Sequence, residues 1–173
     1  MIDPIVRRGD TDDAVTVGDL ETAARQSLID ARGGSRWLDE HPAMGDRWRS
    51  ALADGTVFVA VIPLDDRSVV DDGPVEVLVG YLAVHLVDGL MRQGDESGDA
   101  ARLVVAHVEQ VFVLDDAREL GFGDALPAAA MDWGRAQGAT LVEAHALPGD
   151  RQLKNLYERA GVTARLITVS RKL

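Results

Sequence analysis

Apolar residues follow two regimes that meet at Asp54-Gly55. Before that dipeptide they recur at helical spacing; after it they run in blocks or alternate with polar residues. The stretch "DTDDAVTVGDLETAARQSLIDARGG" (10–34) opens on Asp and Thr caps, and Gly33-Gly34 is expected to close it as a C-cap. Leu20, Ala24, Leu28 and Ala31 give it one apolar stripe. A second helix is expected over Ser35 to Ala53, with Pro42 and Gly45 as candidate breaks.

Strand signals take over at "TVFVAVIPL" (56–64). They continue in "PVEVLVGYLAVHLV" (74–87), where Gly80 marks a bulge, and in "LVVAHVEQVFVL" (103–114). The connections "DDRSVVDDG" and "DGLMRQGDESGDAAR" read as polar loops. A helix is predicted from about Gly121 to Gln137, ended by Gly138. The strand "ATLVEAHAL" follows, then the short helix "DRQLKNLYERAG" closed by Gly161, and a final strand "VTARLITVSRKL". Ile5–Arg8 is a short first strand. Consecutive middle strands pair antiparallel, whereas the late strand–helix–strand implies a parallel crossover. The fold class is therefore α/β of the mixed α+β kind. One domain over residues 1–173 holds a mixed, mostly antiparallel sheet of about six to seven strands with helices on both faces.

The chain's 173 residues allow a sizeable core. No apolar run approaches a membrane span, and the opening "MIDPIVRRGDTDD" lacks the apolar core of a signal peptide. With no cysteine there is no disulfide, thiolate metal site or cysteine nucleophile, and a cytoplasmic location is expected. Lys+Arg 18 against Asp+Glu 29 gives a net charge of −11. Such a chain repels nucleic acid and anionic membrane, and neither is expected as a partner; cationic partners, amines among them, are favoured.

The stretch "VFVLDDARELGFGDAL" (111–126) leaves a strand through a glycine corner into a helix. Flexible glycines at a helix start would be one account. A dinucleotide motif would have to follow the first strand of a βαβ unit, and a Walker A loop would need Gly-Lys-Ser/Thr. The remaining account is an anion site: backbone amides of residues 119–124 meet the positive end of the helix dipole, glycine permits close approach, and Arg118 adds charge. A pyrophosphate suits it.

Arg118-x-x-Gly121-x-Gly123, the "VFV" strand end and the downstream "NLYERAG" with Asn155 and Tyr157 resemble the GNAT superfamily of acyl-CoA-dependent N-acyltransferases. The resemblance covers Thr56 to Leu173 and is only topological before that. It implies acetyl-CoA as cosubstrate, and as acceptor a small-molecule or protein amine. It also implies a possible homodimer and direct attack in a ternary complex. The pantetheine arm would lie along Val111, Phe112 and Val113, with the amide of Val113 holding the acyl carbonyl. The pyrophosphate would sit at Arg118, Glu119, Leu120, Gly121, Phe122, Gly123 and Asp124, and Asn155 would contact the cofactor arm.

The same resemblance makes Tyr157 the acid that protonates the leaving thiolate, a role its phenol suits. For the base, residues 107, 109, 111 and 113 share one face of an unbulged strand, which directs Glu109, and after it His107, towards the acyl group. His85 is read as structural, with a place in the acceptor pocket as the alternative. Trp37 and Trp48 are read as core, with the wall of that pocket as the alternative. Glu143 and His145 share parity without making a site, and no metal-ligand spacing occurs. Family members often carry Gly and Arg between the motif arginine and its first glycine; here Glu119 and Leu120 stand there, and Pro127 sits early in the helix. These departures support a rival reading, a non-catalytic acyl-CoA-binding or regulatory module.

Overall fold

Asp54-Gly55 is where the helices give way to the sheet. The computed structural model describes residues 5–64, 75–88 and 103–164. Strand β1 (Ile5–Arg8) leads through a short 3-10 turn (Thr11–Asp13) into α1 (Ala14–Leu28), α2 (Gly34–Glu40) and α3 (Arg47–Ala53). Strands β2 (Val57–Leu64), β3 (Val75–Asp88) and β4 (Val104–Val113) follow. A 3-10 turn (Asp115–Leu120), α4 (Phe122–Ala136), β5 (Leu141–Ala144) and α5 (Arg151–Arg159) complete the order.

The described sheet has five strands in the order β1-β2-β3-β4-β5. Its first four pair antiparallel and β5 joins β4 in parallel, as expected for the crossover through α4. The described residues hold five of the six to seven strands expected. The last strand expected, over 162–173, lies mostly outside the described residues, as do the polar connections 65–74 and 89–102.

Each sheet face buries its own core, which is why the central strands read as nearly continuous apolar runs. On one face Phe58, Leu82, Val84, Ala106, Val108 and Val113 pack against Phe122, Leu126, Ala130 and Trp133 of α4. On the other, Val57, Val59, Val61, Tyr81 and Ala83 meet Val17 and Leu20 of α1 and Trp48 and Leu52 of α3. Among the described residues, no helix is long and apolar enough to cross a membrane.

One local expectation is corrected and two are made specific. Gly33 does not cap α1, which ends at Leu28; it opens α2 with φ 87°. The helix expected over Ser35–Ala53 is two helices, broken across the segment that holds Pro42 and Gly45. Pro127 is the sixth residue of α4, beyond its first turn, so it removes one intrahelical hydrogen bond.

Two bulges shape the sheet. Ala60 pairs with Gly80 and Val61 with Leu78, so Val79 is the extra residue beside the expected Gly80. In β4, Gln110 pairs with Ala83 and Val108 with Val84, so Glu109 is extra. This second bulge ends the simple alternation assumed for residues 107–113. The side chains of Val111 and Val113 join the α4 face, whereas His107, Glu109, Gln110 and Phe112 lie towards α1 and α2.

Candidate active site

The glycine corner is built from both of its ends. Phe122 is fully buried and pins the start of α4, so its ring serves the core and only its amide faces the corner. Gly121 turns the chain with φ 87°, a conformation that excludes most side chains. The amides of Asp124 and Ala125 both donate to the Gly121 carbonyl. Those of Phe122 and Gly123, one residue earlier, have no acceptor within the helix. A Cβ added at Gly123 would stand 3.1 Å from Leu156 Cδ1, so this first turn fits closely against α5. Two free amides at the positive end of a 15-residue helix suit one phosphate group.

Arg118, expected to add positive charge at the mouth, is engaged by its neighbours. Its Nε donates to the Val113 carbonyl (3.0 Å) and one terminal nitrogen to Gln152 Oε1 (2.6 Å). That nitrogen also lies 2.8 Å from Asp115 Oδ1. The guanidinium sits over the Phe112 ring, 5.9 Å from its centre. Arg118 therefore ties the corner to the end of β4 and to α5, and Asp115 offsets its charge. Glu119 is exposed and Leu120 half-buried. Asp124 pairs with Arg159 at 2.8 Å, which joins the head of α4 to the end of α5.

The last residues of β4 lie beyond its pairing with β5, which ends at Val108–Ala144. Leu114 donates to Val79 of β3, so by ladder alternation the amides of Phe112 and Gln110 also face β3. Those of Val111 and Val113 face the opposite way, where β5 no longer reaches. The Arg118 bond to the Val113 carbonyl agrees with that orientation. Tyr157, on α5, is 7% exposed, and its hydroxyl has no hydrogen-bond partner among the described residues. Burial, then the negative charge of Asp150, pushes its phenol well above the ordinary value. Asn155 is exposed on the same helix.

On the sheet face turned towards α2, at the level where β4 and β5 part, a half-open cavity of about 290 Å³ gathers all four histidines of the chain. Trp37, His41, His85, Val87, His107, Glu109 and His145 line it. His85 and His107 are cross-strand partners with ring centres 5.3 Å apart, and His145 meets His107 edge-on at 4.9 Å. Trp37 stacks on His41 at 3.5 Å, one helical turn on, and also touches His145. Arg25 of α1 donates to the His41 and Leu38 carbonyls and so fixes the end of α2.

His85 Nδ1 lies 3.7 Å from Glu109 Oε2, with the two side chains 44% and 39% exposed. Burial, then the neighbouring imidazoles of His145 and His85, holds His107 below its ordinary value against the carboxylates of Glu143 and Glu109. Two sequence readings change here: Trp37 and His85 line the cavity, while Trp48 is core. Among the described residues, no group of three or more histidines or carboxylates is arranged to hold a metal ion.

Sequence reasoning also missed the clamp behind the β4 bulge. Glu21 of α1, 2% exposed, accepts from the Met44 amide, from Trp48 Nε1 (2.8 Å) and, more distantly, from Gln110 Nε2 (3.4 Å). The Tyr81 hydroxyl donates to Gln110 Oε1 at 2.8 Å. Gln110 is thus gripped from two sides, and Glu109 beside it turns into the cavity.

The acetyltransferase (GNAT) family model matches residues 23–162. No curated protein matches the chain in sequence. Solved structures share its fold at low identity. The tetramutant of the BH1408 protein from Bacillus halodurans superposes with a TM-score of 0.71 at 19% identity, covering 98% of this chain and 99% of that one. AAC(6')-Iy in complex with the bisubstrate analogue CoA-S-monomethyl-acetylneamine gives 0.59 at 17% identity, again with 98% and 99% covered. A ribosomal-protein-alanine N-acetyltransferase from Brucella melitensis biovar Abortus 2308 gives 0.55 at 16% identity, with 99% of each chain covered.

Proposed function

The chain belongs to the acetyltransferase (GNAT) family, and from that premise we propose that it moves an acetyl group from acetyl-CoA to a primary amine by direct attack in a ternary complex. One observation carries the reading. The left-handed Gly121 leaves the amides of Phe122 and Gly123 at the head of α4 without a partner among the described residues, close in sequence to the end of β4 that lies beyond its pairing with β5. A pyrophosphate at the first and an acyl carbonyl on the Val113 amide, with Val111 beside it, fit that spacing along one chain. The backbone donates there, so the exposed Glu119 does not block it.

In the proposed reaction the amine nitrogen attacks the thioester carbonyl carbon and the C–S bond breaks. Before attack the ammonium gives one proton to Glu109, directly or through one water, which frees the nitrogen lone pair; as the C–S bond breaks, sulfur leaves with the electron pair and takes the phenolic proton of Tyr157, and the nitrogen loses its second proton to solvent. Both groups then exchange with solvent. A phenol pushed up by burial enters each cycle protonated, as an acid requires. His107, on the same cavity wall and held neutral, is the second candidate base.

Titration calorimetry with acetyl-CoA, followed by turnover assays on a panel of amines, tests the proposal. Tyr157→Phe is expected to lower turnover by roughly 100-fold while leaving acetyl-CoA affinity unchanged. Full activity in that variant would remove Tyr157 from the mechanism. The engagement of Arg118 by Asp115 and Gln152 favours a second reading, a non-catalytic acyl-CoA-binding module. It predicts binding without turnover on any amine.

A further inference from the structure

The cavity on the α2 side is walled almost wholly by flat rings. Trp37, His41, His85, His107 and His145 supply five of its seven lining side chains, and Val87 is the one aliphatic member. Among the described residues Glu109 is the one carboxylate in the lining; Glu143, exposed, is paired with His107 across the β4–β5 register. The cavity opens where β4 and β5 part, on the face opposite α4. An acyl carbonyl held at Val113 is therefore reached from this side without crossing the cofactor arm.

We infer that this cavity selects an acceptor with one amino group on a short arm attached to a flat ring. The inference rests on the N-acetyltransferase reading above and names the substrate class of that site. Three features lead to it. Among the described residues a single lining carboxylate matches one ammonium, whereas the other charges of a polycation would meet imidazoles there. Ring faces and edges bind a planar body by stacking and edge-on contact, which an aliphatic chain of equal size cannot reproduce. A volume of about 290 Å³, at the small end of ligand cavities, matches a ring and a two-carbon arm. The Glu109 carboxylate, 3.7 Å from His85, receives the ammonium, and the ring packs on the cavity side of the touching pair Trp37 and His145.

The test has two arms on the whole protein. In the first, kcat/KM is measured for 2-phenylethylamine, for n-butylamine and for spermidine. The ring amine is expected to exceed both by at least roughly ten-fold, and Trp37→Leu and His145→Leu are each expected to erase that preference while acetyl-CoA titrates as before. In the second, the CoA-bound protein is titrated calorimetrically with 2-phenylethylamine. Binding is expected, weakened in Trp37→Leu, and it does not depend on turnover. Equal or better acetylation of butylamine or spermidine would overturn the inference while leaving the acetyltransferase reading standing. Acetylation of no amine, with CoA binding intact, would remove that reading; ring-amine binding that survives Trp37→Leu would remove the inference on its own.

Discussion

At Gly121 the backbone φ of 87° is the condition for the corner. A β-branched side chain forced into that conformation costs about 1–2 kcal/mol or shifts the backbone, and either outcome re-aims the amides of Phe122 and Gly123. Gly121→Val is expected to weaken acetyl-CoA binding by roughly ten-fold or more while the circular dichroism spectrum stays native; calorimetry decides it. Gly123 is constrained differently: a Cβ there would stand 3.1 Å from Leu156 Cδ1, so that side chain would have to give by a few tenths of an ångström. The glycines were legible as a corner from their spacing alone. The partners of Arg118 were not, because Val113, Asp115 and Gln152 meet it through a turn and a second helix. The histidine cavity was equally hidden. Positions 41, 85, 107 and 145 carry no common spacing, and only the register of three strands and the docking of α2 brings them together.

Elements with strong local signals were readable to within a residue or two: β1, and α4 and α5 with their closing glycines at positive φ, Gly138 and Gly161. The bulge at Glu109 was not, since an extra residue is defined only against its partner strand. Its clamp gives a stability prediction. Glu21→Leu strands the Met44 amide and Trp48 Nε1 in a buried site, at about 2–4 kcal/mol together, which urea unfolding would show as a lower midpoint. A second prediction concerns the corner after β1. Arg7 grips Asp13 at 2.8 Å and also reaches Glu76. Burial works against ionisation of Asp13, but the Arg7 hydrogen bond, the Asp10 amide and the Arg7 charge outweigh it and lower its pKa. A depressed carboxylate stabilises above its unfolded value of 3.8 and loses that contribution as pH falls through the folded value. Asp13→Asn should therefore be less stable than the parent near neutrality, and the gap should narrow below about pH 3.8 in urea unfolding measured at both ends.

The molecule as a whole carries −11 and is proposed to bind a polyanion. Its own field opposes that ligand, so acetyl-CoA affinity should rise a few-fold as salt goes from about 10 mM to about 150 mM and the screening length drops from about 30 Å to about 8 Å. A steady fall in affinity over that range would mean that local cations outweigh the net charge. The parting of β4 and β5 has a kinetic consequence as well. Two reactants entering from opposite faces, as proposed, could each come and go while the other stays bound. Initial-rate plots should intersect rather than run parallel, and free CoA should compete with acetyl-CoA yet not with the amine. The acetylated product should be free to depart ahead of the spent thiol, so a large excess of one reactant need not bar the other from its door.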